Sequence, residues 1–164
     1  KQFGMYAVSG ILYNHESPRR GLTFVTRKIT STAVRIKNGS REKLLLGDLR
    51  AERDWGYAPE YVEVMWRMLQ EETPDDYVIA TGVLHSVEEF VEAAFSRLDL
   101  DWQEHVAIDD RFKRRVDSVQ VLGDPSKAKE KLGWRAQITF NNLVQIMGEA
   151  DMHSVHAPQV AVLQ

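Results

Sequence analysis

Asn14-His15-Glu16-Ser17-Pro18-Arg19-Arg20-Gly21 follows directly on an apolar, β-prone run, Met5–Leu12 (MYAVSGIL). A buried-looking strand that opens into a polar loop is the signature of an α/β sheet. In such sheets ligands bind beyond the carboxyl ends of the strands. This loop offers an amide, an imidazole, a carboxylate, a hydroxyl and two guanidiniums within seven positions. Guanidinium forks match phosphate oxygens bidentately, so an anionic ligand is one reading. The plainer one is a surface turn, set by Pro18 and Gly21, with solvated arginines.

Helix and strand signals alternate on either side of the loop. Thr23–Lys37 has an approximate apolar face of Phe24, Val25, Ile29, Val34 and Ile36, and Asn38-Gly39 is a helix stop. Asn38-Gly39-Ser40 also fits a glycosylation sequon, but the stop is the simpler use of it. Lys43–Leu46 reads as a short strand, and a charged loop runs from there to Ala58. Pro59 suits a first helical position, and Pro59–Glu71 is expected to bury Val62, Met65, Trp66 and Leu69. Tyr77–Ala80 is a further strand, and Ser86-Val-Glu-Glu89 is a capping box opening a helix to about Leu98. His105–Ile108 and Val119–Leu122 are expected strands. Asp124-Pro125 starts a short helix ending at Gly133, and Thr139 starts a last one through Met147, with an irregular tail after Gly148. The pattern is α/β, without G-x-G-x-x-G or G-x-x-x-x-G-K-[ST], so no complete Rossmann phosphate loop is present in these residues.

The chain has 164 residues, one domain by length or a piece of something larger. It is 43% hydrophobic and 27% charged, which fits a globular protein rather than a disordered one. Its apolar runs are too short for a membrane helix, and the first residues lack a secretory pattern. With no cysteine there are no disulfides, thiolate metal sites or cysteine nucleophiles. That fits a reducing compartment, and a cytoplasmic location is expected. Charge is uneven. Residues 1–50 hold ten Lys and Arg against three Asp and Glu, whereas residues 51–110 hold three against sixteen. Residues 111–164 hold eight against five.

Basic groups recur near strand ends: Arg27 and Lys28 after the first loop, Arg53 after the second, and Arg111, Lys113, Arg114 and Arg115 before a later strand. Three basic loops converging on one diphosphate would suit this pattern, while each taken singly fits a solvated surface group. Nucleic acid is not expected, since the aromatics are not interleaved with the basic residues as a stacking groove needs. No metal site is expected either. His153 and His156 are three apart, but no carboxylate at a suitable spacing completes a set. The four tryptophans, Trp55, Trp66, Trp102 and Trp134, are expected in the core, and Asp109-Asp110 and Glu88-Glu89 on solvated faces.

The stretch Gly10-Ile-Leu-Tyr-Asn-His-Glu-Ser-Pro-Arg-Arg-Gly21, with Phe24-Val-Thr-Arg-Lys-Ile29, closely resembles the GDP-mannose 4,6-dehydratase family of extended short-chain dehydrogenase/reductases. Leu46–Leu49, Arg53–Gly56, Asp75–Gly82 and Leu122–Trp134 resemble it too. The likeness covers residues 1–148 and runs to the family's C-terminal half. It implies late Rossmann strands interleaved with a substrate-binding subdomain, residues 1–164 as one portion, and an N-terminal Rossmann half outside the chain. It implies NADP as cofactor, GDP-mannose as substrate, GDP-4-keto-6-deoxymannose as product, and a homo-oligomer. By resemblance His15 and Arg20 contact NADP, and Asn14, Lys28, Arg53, Arg114 and Asp117 contact the GDP-sugar. Asp117 stands where the family has Glu, and the segment around Arg114 departs from the family's wording.

The family's Tyr-x-x-x-Lys pair has no match here, since none of the five tyrosines has a lysine four residues later. No catalytic acid or base is therefore assignable in this chain. Two other readings remain open: a non-catalytic nucleotide-sugar-binding module, and another extended short-chain epimerase or reductase. Residues 1–164 expressed alone are expected to aggregate or remain partly unfolded, because half a Rossmann sheet leaves an unpaired edge and apolar faces.

Overall fold

The computed structural model describes residues 3–112 and 120–156, with the side chain of residue 156 left out. Eight short strands and six α-helices alternate along it. The strands are β1 (Ser9–Leu12), β2 (Asn14–Glu16), β3 (Leu44–Leu46), β4 (Glu52–Arg53), β5 (Trp55–Tyr57), β6 (Asp76–Ile79), β7 (His85–Ser86) and β8 (Val106–Ile108). The helices are α1 (Val25–Lys37), α2 (Ala58–Met68), α3 (Val87–Ser96), α4 (Trp102–His105), α5 (Ser126–Leu132) and α6 (Phe140–His156). Among the described residues the strands join in pairs: β1–β6, β2–β5 and β3–β8 are parallel and β4–β7 is antiparallel. Parallel pairing with helical crossovers is the α/β arrangement expected from the sequence.

Two apolar cores form. The larger gathers α1, α3 and α6 around β3 and β5, with Ile29, Leu44, Trp55, Phe90, Phe95 and Leu143 fully or nearly fully buried. The smaller packs α2 and α5 on β6 through Tyr61, Val64, Met68, Ile79 and Trp134.

Several local readings hold. Asn38 ends α1, its amide nitrogen donating to the Val34 carbonyl at 2.8 Å. Ser86 and Glu89 form the reciprocal capping box of α3. Gly133 ends α5 in the left-handed conformation, φ 60°, which glycine adopts without a Cβ penalty.

Others need correction. The polar loop begins as a strand, β2, because its backbone pairs with β5 in register His15 to Gly56. The charged loop to Ala58 contains β4 and β5. The face of α2 is rotated from the expected one: Tyr61, Val64 and Met68 are buried, while Val62, Trp66 and Leu69 are 62%, 63% and 56% exposed. The β6 surface needs Tyr61 inward, next to His15 and Trp134, and that turns Trp66 outward. Helix α6 continues past Gly148 to His156, so the expected irregular tail is helical that far, and residues 157–164 lie outside the described residues. Residues 120–122 form no strand and are exposed, and residue 119 lies outside the described residues.

Candidate functional site

The β2 strand is a pleated segment of three residues, so its side chains alternate between faces. Asn14 and Glu16 line a cavity of about 610 Å³, enclosed also by the start of α1, β3, β4, β5 and the turn Asp110–Phe112. His15 points to the other side, where its ring stacks on Tyr61 at 5.0 Å. Gly56, opposite His15, permits this: a Cβ there would lie 2.3 Å from the Tyr61 ring. The His15 Nδ1–H donates to the Tyr13 carbonyl at 2.8 Å, which fixes the proton on Nδ1.

After β2 the chain turns sharply. The Arg20 amide donates to the Ser17 carbonyl at 2.9 Å, and the Arg19 amide to the Ser17 hydroxyl at 3.2 Å. Arg20 is thereby folded back over the cavity. Its Nε lies 3.2 Å from a Glu16 carboxylate oxygen, and its guanidinium covers the Phe24 ring at 3.8 Å. The same Glu16 oxygen accepts the Thr26 hydroxyl at 2.6 Å. Burial pushes the Glu16 carboxyl above its ordinary range, against the pull of Thr26, Arg20 and His15.

Lys28, one turn into α1, reaches the opposite wall. Its Nζ donates to the Leu45 carbonyl at 2.6 Å and sits 3.8 Å from the centre of the Phe112 ring. Burial lowers its pKa and Asp109 opposes that. Arg53 closes a third side, its Nη1 donating to the Glu52 carbonyl at 2.7 Å. Arg111 completes the cationic lining, held to the Asp109 carboxylate at 2.6 Å. Among the described lining residues four cations, Arg20, Lys28, Arg53 and Arg111, face two carboxylates, Glu16 and Asp48, with Asp109 paired to Arg111 behind them. The cavity is therefore net positive, half-walled by apolar groups, and suited to a polyanion carrying an uncharged portion.

Asn14, Arg20, Lys28 and Arg53 line one cavity, while His15, which the resemblance groups with Arg20 on the cofactor, lies behind the strand. Arg114 and Asp117 lie outside the described residues. Three contributors escaped the sequence reading. Phe24 and Phe112 each leave about half their surface open at the cavity mouth, 48% and 49%. Asp54, 1% exposed, accepts the Thr81 amide at 2.9 Å, the Thr81 hydroxyl at 2.7 Å and the Gly82 amide at 2.9 Å. It pins the strand of Arg53 to the turn after β6. The signal for it was Thr81-Gly82, a turn directly after a strand, with Gly82 at φ 79°. Trp55 is core, as expected, but also lines the cavity. Among the described residues no His, Asp or Glu cluster has the geometry of a metal site.

A family model for GDP-mannose 4,6 dehydratase matches residues 1–147. The chain belongs to the GDP-mannose 4,6-dehydratase family. It is 52% identical over 160 residues to GDP-mannose 4,6 dehydratase 2 of Arabidopsis thaliana, covering 98% of this chain and 43% of that one. It is 44% identical to the Homo sapiens GDP-mannose 4,6 dehydratase, covering 92% and 45%. The chain thus spans less than half the length of these two relatives. Among solved structures it is similar to the RMD protein of Pseudomonas aeruginosa complexed with NADPH, with a TM-score of 0.81 at 18% identity, over 93% of this chain and 50% of that one. It is equally similar to dTDP-glucose 4,6-dehydratase of Bacillus anthracis in complex with NAD, with a TM-score of 0.81 at 16% identity, over 94% and 47%. The fold is that of the extended short-chain dehydrogenase/reductases. No described helix is long and apolar enough to cross a membrane.

Proposed function

We propose that the whole protein is an NADP-dependent GDP-mannose 4,6-dehydratase, and that this chain carries its nucleotide-sugar and cofactor loops. The reaction converts GDP-mannose to GDP-4-keto-6-deoxymannose and water. The observation that carries the reading is the net-positive cavity, in which Arg20, Lys28, Arg53 and Arg111 surround an opening walled by Phe24, Phe112 and Trp55. A GDP-sugar has this character: two phosphates, a flat base and a neutral sugar.

In this reading Lys28 and Arg53 neutralise the diphosphate, and Asn14 offers its amide to the sugar side. Lys28 is prepared for that role. Its ammonium is partly desolvated, with one hydrogen bond to Leu45, so an incoming phosphate oxygen gives it a stronger partner than the carbonyl. Arg20 and His15 serve the cofactor. Arg20 offers a phosphate of the dinucleotide a guanidinium held in place by Glu16 and Phe24, while His15, on the other face of β2 with its proton on Nδ1, leaves Nε2 as an acceptor for a cofactor hydroxyl. NADP, when bound, supplies the hydride acceptor and donor. Arg114 and Asp117 are proposed second contacts to the GDP-sugar. Proton transfer falls to residues of the whole protein outside this chain. The protein is proposed to work as a homo-oligomer in the cytoplasm, where the lack of cysteine sits comfortably.

The test is to incubate the full-length protein with GDP-mannose and catalytic NADP. A 4-keto-6-deoxy sugar nucleotide is expected, with no accumulation of NADPH. No product from GDP-mannose, together with turnover of a different sugar nucleotide, would reject the assignment.

A further inference from the structure

Between Thr26, which grips Glu16, and Lys28, which faces the cavity, stands a cation that the cavity does not use. The Arg27 side chain is 13% exposed and its partner Asp151, on α6, is 6% exposed. Arg27 Nη1 donates to Asp151 Oδ1 at 2.7 Å, and Arg27 Nε donates to the Pro18 carbonyl at 3.1 Å. The other Asp151 oxygen accepts the Thr30 hydroxyl at 2.7 Å. One guanidinium therefore joins three parts of the molecule: α1, α6 and the turn that carries Arg19 and Arg20. Consecutive residues of α1 hold the chain on both sides of Ser17, Thr26 through Glu16 and Arg27 through Pro18.

We propose that the Asp151–Arg27 pair is a positioning device, which fixes the Ser17–Gly21 turn so that Arg20 stands ready for a phosphate of the cofactor. The choice of cofactor rests on the function proposed above; the fixing of the turn does not. The chemistry explains why arginine stands here. Its planar fork presents Nε and Nη1 in fixed relation, so one side chain serves a carboxylate and a backbone carbonyl together. A lysine has one charged nitrogen on a flexible stem. It keeps the pairing with Asp151 and releases Pro18. Asp151 for its part gains two donors, Arg27 and Thr30, which offset the burial that raises its pKa.

If the pair only tied α6 to α1, any loss of α6 packing would have the same consequences as loss of the fork. Two variants of the full-length protein separate these cases. Arg27→Lys keeps the charge and drops the Pro18 bond. Leu143→Ala opens a void in the α6 core, at a side chain 1% exposed and about two helical turns before Asp151. The readouts are melting temperature, the rate of tryptic cutting after Arg19 and Arg20, and the dissociation constant for NADP. For Arg27→Lys, cutting at the turn is expected to rise about tenfold and NADP to bind about tenfold more weakly, the effect of losing one charge-assisted hydrogen bond. Leu143→Ala is expected to lower the melting temperature at least as much, with wild-type cutting at the turn. Wild-type cutting in Arg27→Lys, or equally fast cutting in Leu143→Ala, overturns the proposal. Wild-type protein that binds no NADP rejects the cofactor assignment, and the protease comparison still decides the positioning role.

Discussion

Helices α1 and α2 are similar in length and both amphipathic in sequence, yet they use their faces in opposite ways. Helix α1 buries Thr26, Thr30, Ser31 and Thr32 alongside Ile29, Ala33 and Val34. Two of those hydroxyls donate to buried carboxylates, Thr26 to Glu16 and Thr30 to Asp151. A polar group inside is stable when it is bonded, and the Thr26–Glu16 bond also builds the cavity wall. Helix α2 buries Tyr61, Val64 and Met68 and turns Val62, Trp66 and Leu69 outward. Hydrophobicity alone therefore finds Ile29, Val34 and Ile36 of α1 but not its buried hydroxyls, and it misassigns the face of α2. What distinguishes them is whether neighbouring chain supplies partners for the inward row.

The sharpest way to break this contrast is to cut an apolar group from the inward row of α1. Ile29→Ala on α1, at a side chain with no exposure, is expected to lower unfolding free energy by about 3 kcal/mol, measured by urea titration. An effect under about 1 kcal/mol would mean that the α1 core is loose.

Next in size is the buried polar row. Thr30→Val removes the hydroxyl from Asp151 with little change of shape. A loss of about 2 kcal/mol is expected, since the carboxylate oxygen is left without that donor. No loss would show that the hydroxyls of α1 are passengers.

Glu16 gives a smaller, pH-dependent effect. Its folded-state pKa is raised by burial, so the protonated form is favoured on folding. That contribution is complete below the unfolded carboxyl value of about 4 and is lost as pH rises through the folded value. Wild type compared with Glu16→Gln is therefore expected to lose relative stability as pH rises above about 4, followed by chemical denaturation at successive pH values. The opposite slope would mean that Arg20 and Thr26 outweigh burial.

Trp66→Ser should have the least effect on folding, below about 0.5 kcal/mol, because its side chain is 63% exposed. In residues 1–164 expressed alone it is expected to reduce self-association, read by light scattering. An unchanged scattering profile would remove the outward row of α2 as the cause of aggregation.

The same contrast explains what could be seen in the sequence. Helix ends were legible because their chemistry is local: Asn38-Gly39, Ser86 with Glu89, and Gly133 each act within a few residues. Strands β2, β4 and β5 were not, since two or three residues become strand only through partners far away in the chain. Asn14, Arg20, Lys28 and Arg53 were singled out through family likeness, and all four line one cavity. That His15 faces away from them follows from the pleat of β2, which a loop reading hides. Phe24 and Phe112 were missed as wall residues because a lone aromatic beside a cation looks like any surface pair until the rings are seen against Arg20 and Lys28.

The cavity between β2, α1, β3 and β4 is proposed to hold the diphosphate of a GDP-sugar, and GDP titration tests this most directly. The full-length protein should be titrated by calorimetry beside its Lys28→Met and Arg53→Met variants. Each variant is expected to bind GDP at least about tenfold more weakly than wild type, with NADP affinity unchanged, as for one lost charged contact. Wild-type GDP affinity in both variants would contradict the placement of the nucleotide in this cavity.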